Sequence, residues 1–166
     1  DSFTEDGWLK TGDKARIDAD GHVYITGRLK DILVLANGEK VSPGDMELAI
    51  ALDSLFDQVM VIGEARPFLS VLLVLNPDAW ADMAVSLHVH PETEGVFLQR
   101  NIEKAILQKV AQRLKDFPGY AKIRRAHITL QPWTVEDGLL TPTLKIKRAK
   151  VLDRFASEID ALYAHH

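Results

Sequence analysis

The chain has no cysteine, no long hydrophobic run and no excess of basic residues. Without cysteine it can hold neither a disulfide framework nor a cysteine-ligated zinc site, and this absence fits a cytoplasmic protein. Apolar stretches such as residues 71–75 are far shorter than the about 20 residues of a membrane-spanning helix. The formal net charge of −4 argues against nucleic acid as the main partner, since nucleic-acid-binding domains are usually basic.

What the chain does have is enough apolar material for a folded core. Hydrophobic residues make up 46% of the 166 residues, which excludes a disordered tail. The first six residues are acidic where a secretory signal would be basic, and there is no initiator methionine. We therefore expect the chain to be a piece of a longer protein.

Turn signals and apolar spacing predict an α+β fold with a small, mainly antiparallel sheet flanked by helices. A hairpin is expected from residues 59–63 and 69–75, the second strand being largely buried. Further strands are expected at residues 22–26, ending at Gly27, and at 32–35, 40–41 and 123–130. Helices are expected after Ser42 and at residues 77–88, 91–117 and 147–163.

Two segments in the first quarter of the chain combine charge with glycine. In KTGD (residues 10–13), Asp13 can accept two hydrogen bonds from a ribose diol, although a solvated surface turn has the same composition. In GRLKD (residues 27–31), Arg28 supplies a planar fork suited to phosphate or ribose oxygens. The following NGEKVSP (residues 37–43) contains Gly38, which permits a close ligand approach. An ordinary charged hairpin would also explain these two sequences.

A third segment, residues 141–150, carries four positive charges. A lysine on a loop, such as Lys145, can reach a phosphate or acyl phosphate oxygen and stabilise developing charge. The start of a solvated basic helix would have the same composition. His88, His90 and His127 do not have metal-ligand spacing on one helical face, so we predict that they are structural or solvated and that no metal binds.

Together, in this order and spacing, four segments carry a specific resemblance. They are WLKTGD (8–13), GRLKD (27–31), NGEKVSP (37–43) and TPTLK (141–145). The chain resembles, over essentially its whole length, the C-terminal part of the acyl-CoA synthetases of the adenylate-forming (AMP-binding) superfamily. The last two segments are most similar to those of long-chain fatty acid–CoA ligases. One departure is Leu144, where most relatives have glycine.

The resemblance implies roles for three residues near the nucleotide. Asp13 matches the aspartate that binds the ribose hydroxyls of ATP and of the acyl-adenylate. Arg28 matches the arginine that contacts the nucleotide. Lys30 falls on the hinge about which the small C-terminal domain rotates.

It also implies roles for three residues that act on the acyl and thiol groups. Lys145 matches the lysine that contacts the carboxylate and phosphate during adenylation. Gly38 matches backbone that lines the pantetheine tunnel during thioester formation. Lys40 lies where some relatives place a basic CoA contact.

The same resemblance implies a domain division. Residues 1–29 would be the last strands of a large N-terminal domain that is missing here, and residues 30–166 the small mobile C-terminal domain. ATP and Mg²⁺ would bind mainly to the missing domain, with fatty acid and CoA as the other substrates. Because the chain has no phosphate-binding loop, we expect it to be inactive alone. Peripheral association of the parent enzyme with a membrane stays open.

Two alternatives remain at this point. The chain could belong to an adenylation domain that loads a carrier-protein thiol instead of CoA. It could also be a non-catalytic interaction module that binds an acidic partner through the basic segment 145–150.

Overall fold

The structure, a computed structural model, describes residues 13–17, 19–28 and 32–164. Strands and helices are interspersed, which confirms the expected α+β class. The strands are β1 (Asp13–Ile17), β2 (Val23–Arg28), β3 (Leu33–Val34), β4 (Lys40–Val41), β5 (Phe56–Ile62), β6 (Leu69–Leu75) and β7 (Ile123–Thr129). The helices are α1 (Pro43–Ala51), α2 (Pro77–Ser86), α3 (Arg100–Arg113), α4 (Arg148–Arg154) and α5 (Ala156–Tyr163), with 3-10 turns at Val96–Leu98 and Gly119–Ala121.

The strands in the described ranges form three small sheets. Strands β1 and β2 pair antiparallel, as do β3 and β4. The central sheet has the order β5-β6-β7, in which β5 and β6 form the expected antiparallel hairpin. Strand β7 instead pairs parallel to β6, because α2 and α3 form the long crossover that a parallel pair requires. The sheets are thus mainly antiparallel, with one parallel pair.

Strand β6 is buried at all seven positions because both faces of the central sheet are covered. Its alternate residues belong to two different apolar clusters. On one face, Val71 and Leu73 pack in a cluster with α1, α2 and α3. On the other face, Leu72 and Val74 pack in a cluster with α4, α5 and the loop that precedes them. The continuous apolar sequence of β6 therefore supplies buried side chains to two cores, one on each face of the sheet.

Two of the expected helices have different bounds. The helix expected over residues 91–117 is α3 alone, because Gly95 takes a left-handed φ of +69° and Gln99 an extended ψ of 126°. The final helix is divided at Phe155, whose φ of −104° and ψ of 22° interrupt the helical path. The Phe155 ring packs against His127 and Trp133, with centroid distances of 5.7 and 6.2 Å.

The strand expected to end at Gly27 continues to Arg28. The register shifts between the Lys14–Gly27 and Ala15–Ile25 pairs, which leaves Thr26 of β2 as an extra residue. The longest described helix, α3, has 14 residues, and no helix in the described ranges is long and apolar enough to cross a bilayer.

Candidate functional site

Lys145 lies at the end of a tight turn, residues 141–145, here called the lysine turn. The backbone N–H of Thr141 donates to the carbonyl of Lys145 at 2.8 Å, and the N–H of Leu144 donates to the carbonyl of Thr141 at 2.8 Å. The N–H of Lys145 donates to the Thr141 hydroxyl at 3.0 Å, and the Thr143 hydroxyl lies 3.0 Å from that same oxygen. These bonds fix the Lys145 backbone while its side chain is exposed.

Leu144 gives the lysine turn its shape. Its φ of +66° lies in the left-handed region, which costs an L-residue about 1–2 kcal/mol and which glycine adopts freely. The side chain is 69% exposed, so packing against the rest of the chain does not offset this cost. This backbone explains why glycine suits the position and shows that leucine can occupy it.

The lysine turn is attached to the β5 edge of the central sheet. A bridge between Leu140 and Ile146 closes its base. Earlier in the same loop, the backbone N–H of Trp133 donates to the Gln58 side-chain oxygen at 2.7 Å. The Gln58 side-chain amide donates in return to the backbone carbonyl of Trp133 at 3.0 Å. Gln58 belongs to β5, so the loop is fixed to that strand.

Gly38 lies at the tip of a second loop, residues 33–41, here called the glycine hairpin. Its φ of +88° requires glycine, and a Cβ built there would meet nothing within 4 Å. The Gly38 N–H donates to the Leu35 carbonyl at 2.9 Å, and the Glu39 N–H donates to the Asn37 side chain at 3.0 Å. Lys40 follows in β4 with an exposed side chain. The backbone at Gly38 is therefore open to a ligand.

The glycine hairpin is fixed to the turn between β5 and β6. The Ala36 N–H donates to the Arg66 carbonyl, and the Ala65 N–H donates to the Val34 carbonyl, both at 2.9 Å. The hairpin is therefore attached just beyond the C-terminal end of β5, the strand to which the loop with the lysine turn is also fixed.

One carboxylate links the two loops. Glu47 lies in α1, which begins two residues after the glycine hairpin. One of its oxygens accepts the Val61 N–H at 2.7 Å, and the other forms an ion pair with the Arg148 guanidinium. Arg148 follows Lys145 by three residues, so both loops are anchored to α1. The sequence analysis missed this link, since Arg148 was only one charge in a basic run.

The two residues predicted to bind the nucleotide lie on paired positions of β1 and β2. Asp13 of β1 and Arg28 of β2 are opposite each other in the pairing. The β2 strand also contacts α1, the helix that follows the glycine hairpin. Lys30, the predicted hinge, lies outside the described residues.

Within the described ranges, no group of three or more histidine, aspartate or glutamate side chains could hold a metal ion. His88 and His90 are exposed, and His127 is half-buried beside Phe155.

A small α+β domain in which a lysine turn and a glycine hairpin are anchored to one helix matches the C-terminal domain of adenylate-forming enzymes. The sequence profile of the AMP-binding enzyme C-terminal domain matches residues 30–166. The chain belongs to this family.

Relatives of known activity support the same assignment. FadD15 of Mycobacterium tuberculosis, a long-chain-fatty-acid–CoA ligase, is 33% identical over 178 residues, which cover 98% of this chain and 27% of FadD15. The human long-chain-fatty-acid–CoA ligase ACSBG1 is 34% identical over 184 residues, which cover 98% of this chain and 25% of ACSBG1. The chain therefore spans about a quarter of the length of these relatives.

Solved structures share the fold. The adenylation domain of a carboxylic acid reductase from Segniliparus rugosus, in complex with AMP and a carboxylic acid, superposes with a TM-score of 0.80 at 27% identity. The match covers 98% of this chain and 24% of that one. The corresponding domain from Mycobacterium chelonae gives a TM-score of 0.79 at 28% identity, with 98% and 24% coverage.

Proposed function

We propose that this chain is the C-terminal part of a long-chain fatty acid–CoA ligase. The enzyme would convert ATP, fatty acid and CoA into acyl-CoA, AMP and pyrophosphate through an acyl-adenylate. Residues 1–29 would complete a large N-terminal domain, and residues 30–166 would form the mobile domain; the extent of the family match supports this division. The observation that carries the proposal is that α1 anchors both the lysine turn and the glycine hairpin.

In the adenylation step, a carboxylate oxygen of the fatty acid attacks the α-phosphorus of ATP and pyrophosphate leaves. Lys145 would stabilise the charge that develops on the carboxylate and α-phosphate oxygens. The fixed backbone and the exposed side chain suit this role, because the ammonium group can reach a substrate held by the large domain. Asp13 would bind the ribose hydroxyls and Arg28 would contact the nucleotide.

In the thioester step, the CoA thiolate attacks the acyl carbonyl carbon and AMP leaves with the bonding electrons. The open backbone at Gly38 would line the pantetheine tunnel, and the exposed Lys40 would contact CoA. One site cannot hold both the closing Lys145 and an incoming thiol. The domain would therefore rotate about Lys30 between the two steps.

The large domain would supply most of the ATP site and the Mg²⁺ ligands, as the family resemblance implies. Mg²⁺ would neutralise phosphate charge there. We place the enzyme in the cytoplasm, which the absence of cysteine supports. Peripheral contact with a membrane is part of the proposal, because long-chain fatty acids partition into lipid.

The proposal is tested by separating the two half-reactions in the ligase that contains this chain. Lys145→Ala should lower fatty-acid-dependent pyrophosphate release by about 10²–10³, the usual loss when one charge-stabilising contact is removed. Thioester formation from preformed acyl-adenylate and CoA should continue at a near-normal rate. Lys147→Ala is the matched control, since Lys147 is an exposed lysine two residues further on. Near-normal rates of both half-reactions in Lys145→Ala would overturn the assignment.

A second candidate function is the loading of a carrier-protein thiol. A didomain that joins the adenylation domain of the Segniliparus rugosus reductase to its carrier domain, solved with AMP, superposes on 98% of this chain with a TM-score of 0.80. The two functions differ only in the acceptor thiol. Preformed acyl-adenylate supplied with CoA or with a carrier protein carrying phosphopantetheine would distinguish them.

A further inference from the structure

A basic groove lies between α3 and the start of β7, on a chain whose net charge is negative. Its volume is about 690 Å³. Five basic side chains and one acidic side chain line it, namely Arg100, Lys104, Lys122, Arg124, Arg125 and Glu103. We refer to these six residues as the basic groove.

Among the residues that the structure describes, only one of the five cations has an ion-pair partner. Arg125 forms an ion pair with the buried Glu103 at 2.8 Å, and the same Glu103 oxygen accepts the Ala126 N–H at 3.0 Å. The other four basic side chains are exposed, and none of them has an ion-pair or hydrogen-bond partner among the residues that the structure covers. The groove therefore presents four uncompensated positive charges.

These charges are spread along the groove. Near the start of α3, Glu103 contacts Ala126 of β7. Near the end of α3, Ala111 lies beside Lys122, just before β7 begins, so the helix runs antiparallel to the strand. The groove follows α3 from Arg100 to Ala111, a length of about 16 Å at 1.5 Å per residue. A single phosphate would meet only part of this row. The spacing favours an extended anionic surface that offers several charged groups at once.

Apolar side chains lie close to both ends of the row. Leu98, two residues before Arg100, is 85% exposed, and Tyr120, two residues before Lys122, is 45% exposed. Leu107 and Ile123 contribute apolar lining. Basic residues combined with exposed apolar and aromatic side chains are typical of segments that bind at a lipid–water interface.

The groove lies away from the loops assigned to catalysis. In the sheet order β5-β6-β7, the lysine turn and the glycine hairpin attach at the β5 edge, whereas the groove borders β7 at the opposite edge. A ligand in the groove therefore leaves Lys145 and Gly38 accessible.

We propose that the basic groove docks this domain on an anionic phospholipid surface. The phosphates of neighbouring lipids pair with the four exposed basic side chains, Arg100, Lys104, Lys122 and Arg124. Each pair contributes the binding free energy that is usual for a basic residue at an anionic membrane surface. This inference deepens the membrane contact included in the proposed function. It requires only the charges of the groove and does not depend on ligase chemistry.

Sedimentation of the 166-residue chain with lipid vesicles tests the proposal without ATP or CoA. The chain should bind vesicles of mixed phosphatidylcholine and phosphatidylglycerol, and not vesicles of phosphatidylcholine alone. Binding should weaken as salt is raised, because screening shortens the range of the attraction to about 10 Å at 0.1 M. Since ligase activity is not measured, failure of the proposed function would leave this result unchanged.

The double variant Lys104→Gln/Arg124→Gln should weaken vesicle binding by about tenfold or more. The matched control, Lys147→Gln/Lys150→Gln, removes the same charge from the other basic segment and should change binding by less than about threefold. Both variants alter exposed side chains and should keep the melting temperature of the parent chain.

Three outcomes would overturn the proposal. Equal losses in the two double variants would mean that net charge, and not the groove, drives binding. Displacement of the chain by inorganic phosphate at constant ionic strength would indicate a site for a single soluble phosphate. Groove-dependent binding of soluble polyglutamate, with no binding to anionic vesicles, would identify a surface for an acidic protein.

Discussion

At the scale of single residues, Leu144 and His127 show how backbone strain and burial set testable properties. Leu144 has a left-handed φ of +66° with its side chain largely exposed. His127 is half-buried in β7 beside the Phe155 ring. Leu144 has a strained backbone and His127 a partly desolvated side chain, so the effect of substituting either residue has a predictable sign.

Leu144→Gly should stabilise the chain. Glycine removes a left-handed penalty of about 1–2 kcal/mol, and its greater freedom in the unfolded chain offsets about 0.5–1 kcal/mol of that gain. We expect a rise in melting temperature of about 1–4 °C in thermal unfolding. Leu144→Ala keeps the strained backbone and should give no comparable rise. A lower melting temperature for the glycine variant would contradict this account.

His127 should make stability depend on pH. Burial lowers the pKa of His127, and the Glu158 charge raises it by a smaller amount. The unfolded chain therefore takes up a proton at a higher pH than the folded chain does. The stabilisation is fully present above the ordinary histidine pKa of about 6.5 and is lost as pH falls below that value.

Melting temperatures at about pH 7.5 and about pH 5.5 measure this effect. The decrease on acidification should be smaller in His127→Gln than in the parent chain. The exposed His88 provides the control, and His88→Gln should keep the full decrease. Identical decreases in all three proteins would contradict the assignment to His127.

At the scale of elements, α1 connects the two loops that the proposed function uses. It follows the glycine hairpin directly, and its Glu47 contacts both Val61 and Arg148. Sequence patterns predicted that a helix begins after Ser42, because the signals that start a helix are local. Glu47 makes its contacts 14 and 101 residues away, which no local pattern contains.

Glu47→Gln should slow adenylation in the ligase by about tenfold, because small displacements of a positioned group are costly. The glutamine keeps an acceptor for the Val61 N–H but loses the charge that holds Arg148. Stability should fall by about 1.5–3 kcal/mol, the usual range for a hydrogen bond to a charged group. The measurements are pyrophosphate release and denaturant unfolding.

A double-mutant cycle separates this link from a general loss of stability. If Glu47 acts through Arg148, then Glu47→Gln and Arg148→Ala should be strongly non-additive in the adenylation rate. Asp45→Asn, on the same helix and without an ion pair in the described part of the chain, is the control and should have little effect. Additive losses would show that the two residues act separately.

At the scale of the whole molecule, β6 contributes side chains to two apolar cores. It is the middle strand of the central sheet, and the proposed catalytic loops lie at one edge of that sheet. The chain spans about a quarter of the length of its relatives, and its sequence contains no phosphate-binding loop. Charge stabilisation by Lys145 requires a nucleotide that another domain would hold.

The 166-residue chain should therefore release no pyrophosphate from ATP in the presence of a long-chain fatty acid. A coupled pyrophosphate assay on the purified chain measures this directly. Fatty-acid-dependent release that disappears in Lys145→Ala would show that this chain contains a complete adenylation site, and would contradict the division between two domains.

The sequence by itself determined the fold class, most strands and helices, the burial of β6 and the family. These depend on local periodicity, turn chemistry and short motifs, which the chain carries in order. It also placed Asp13, Arg28, Lys30, Gly38, Lys40 and Lys145, whose roles remain predictions. Tertiary structure alone decided the parallel pairing of β7 with β6, the break at Phe155, the link through Glu47 and the basic groove. Each of these arises from contacts between residues distant in sequence, where packing and charge outweigh local preference.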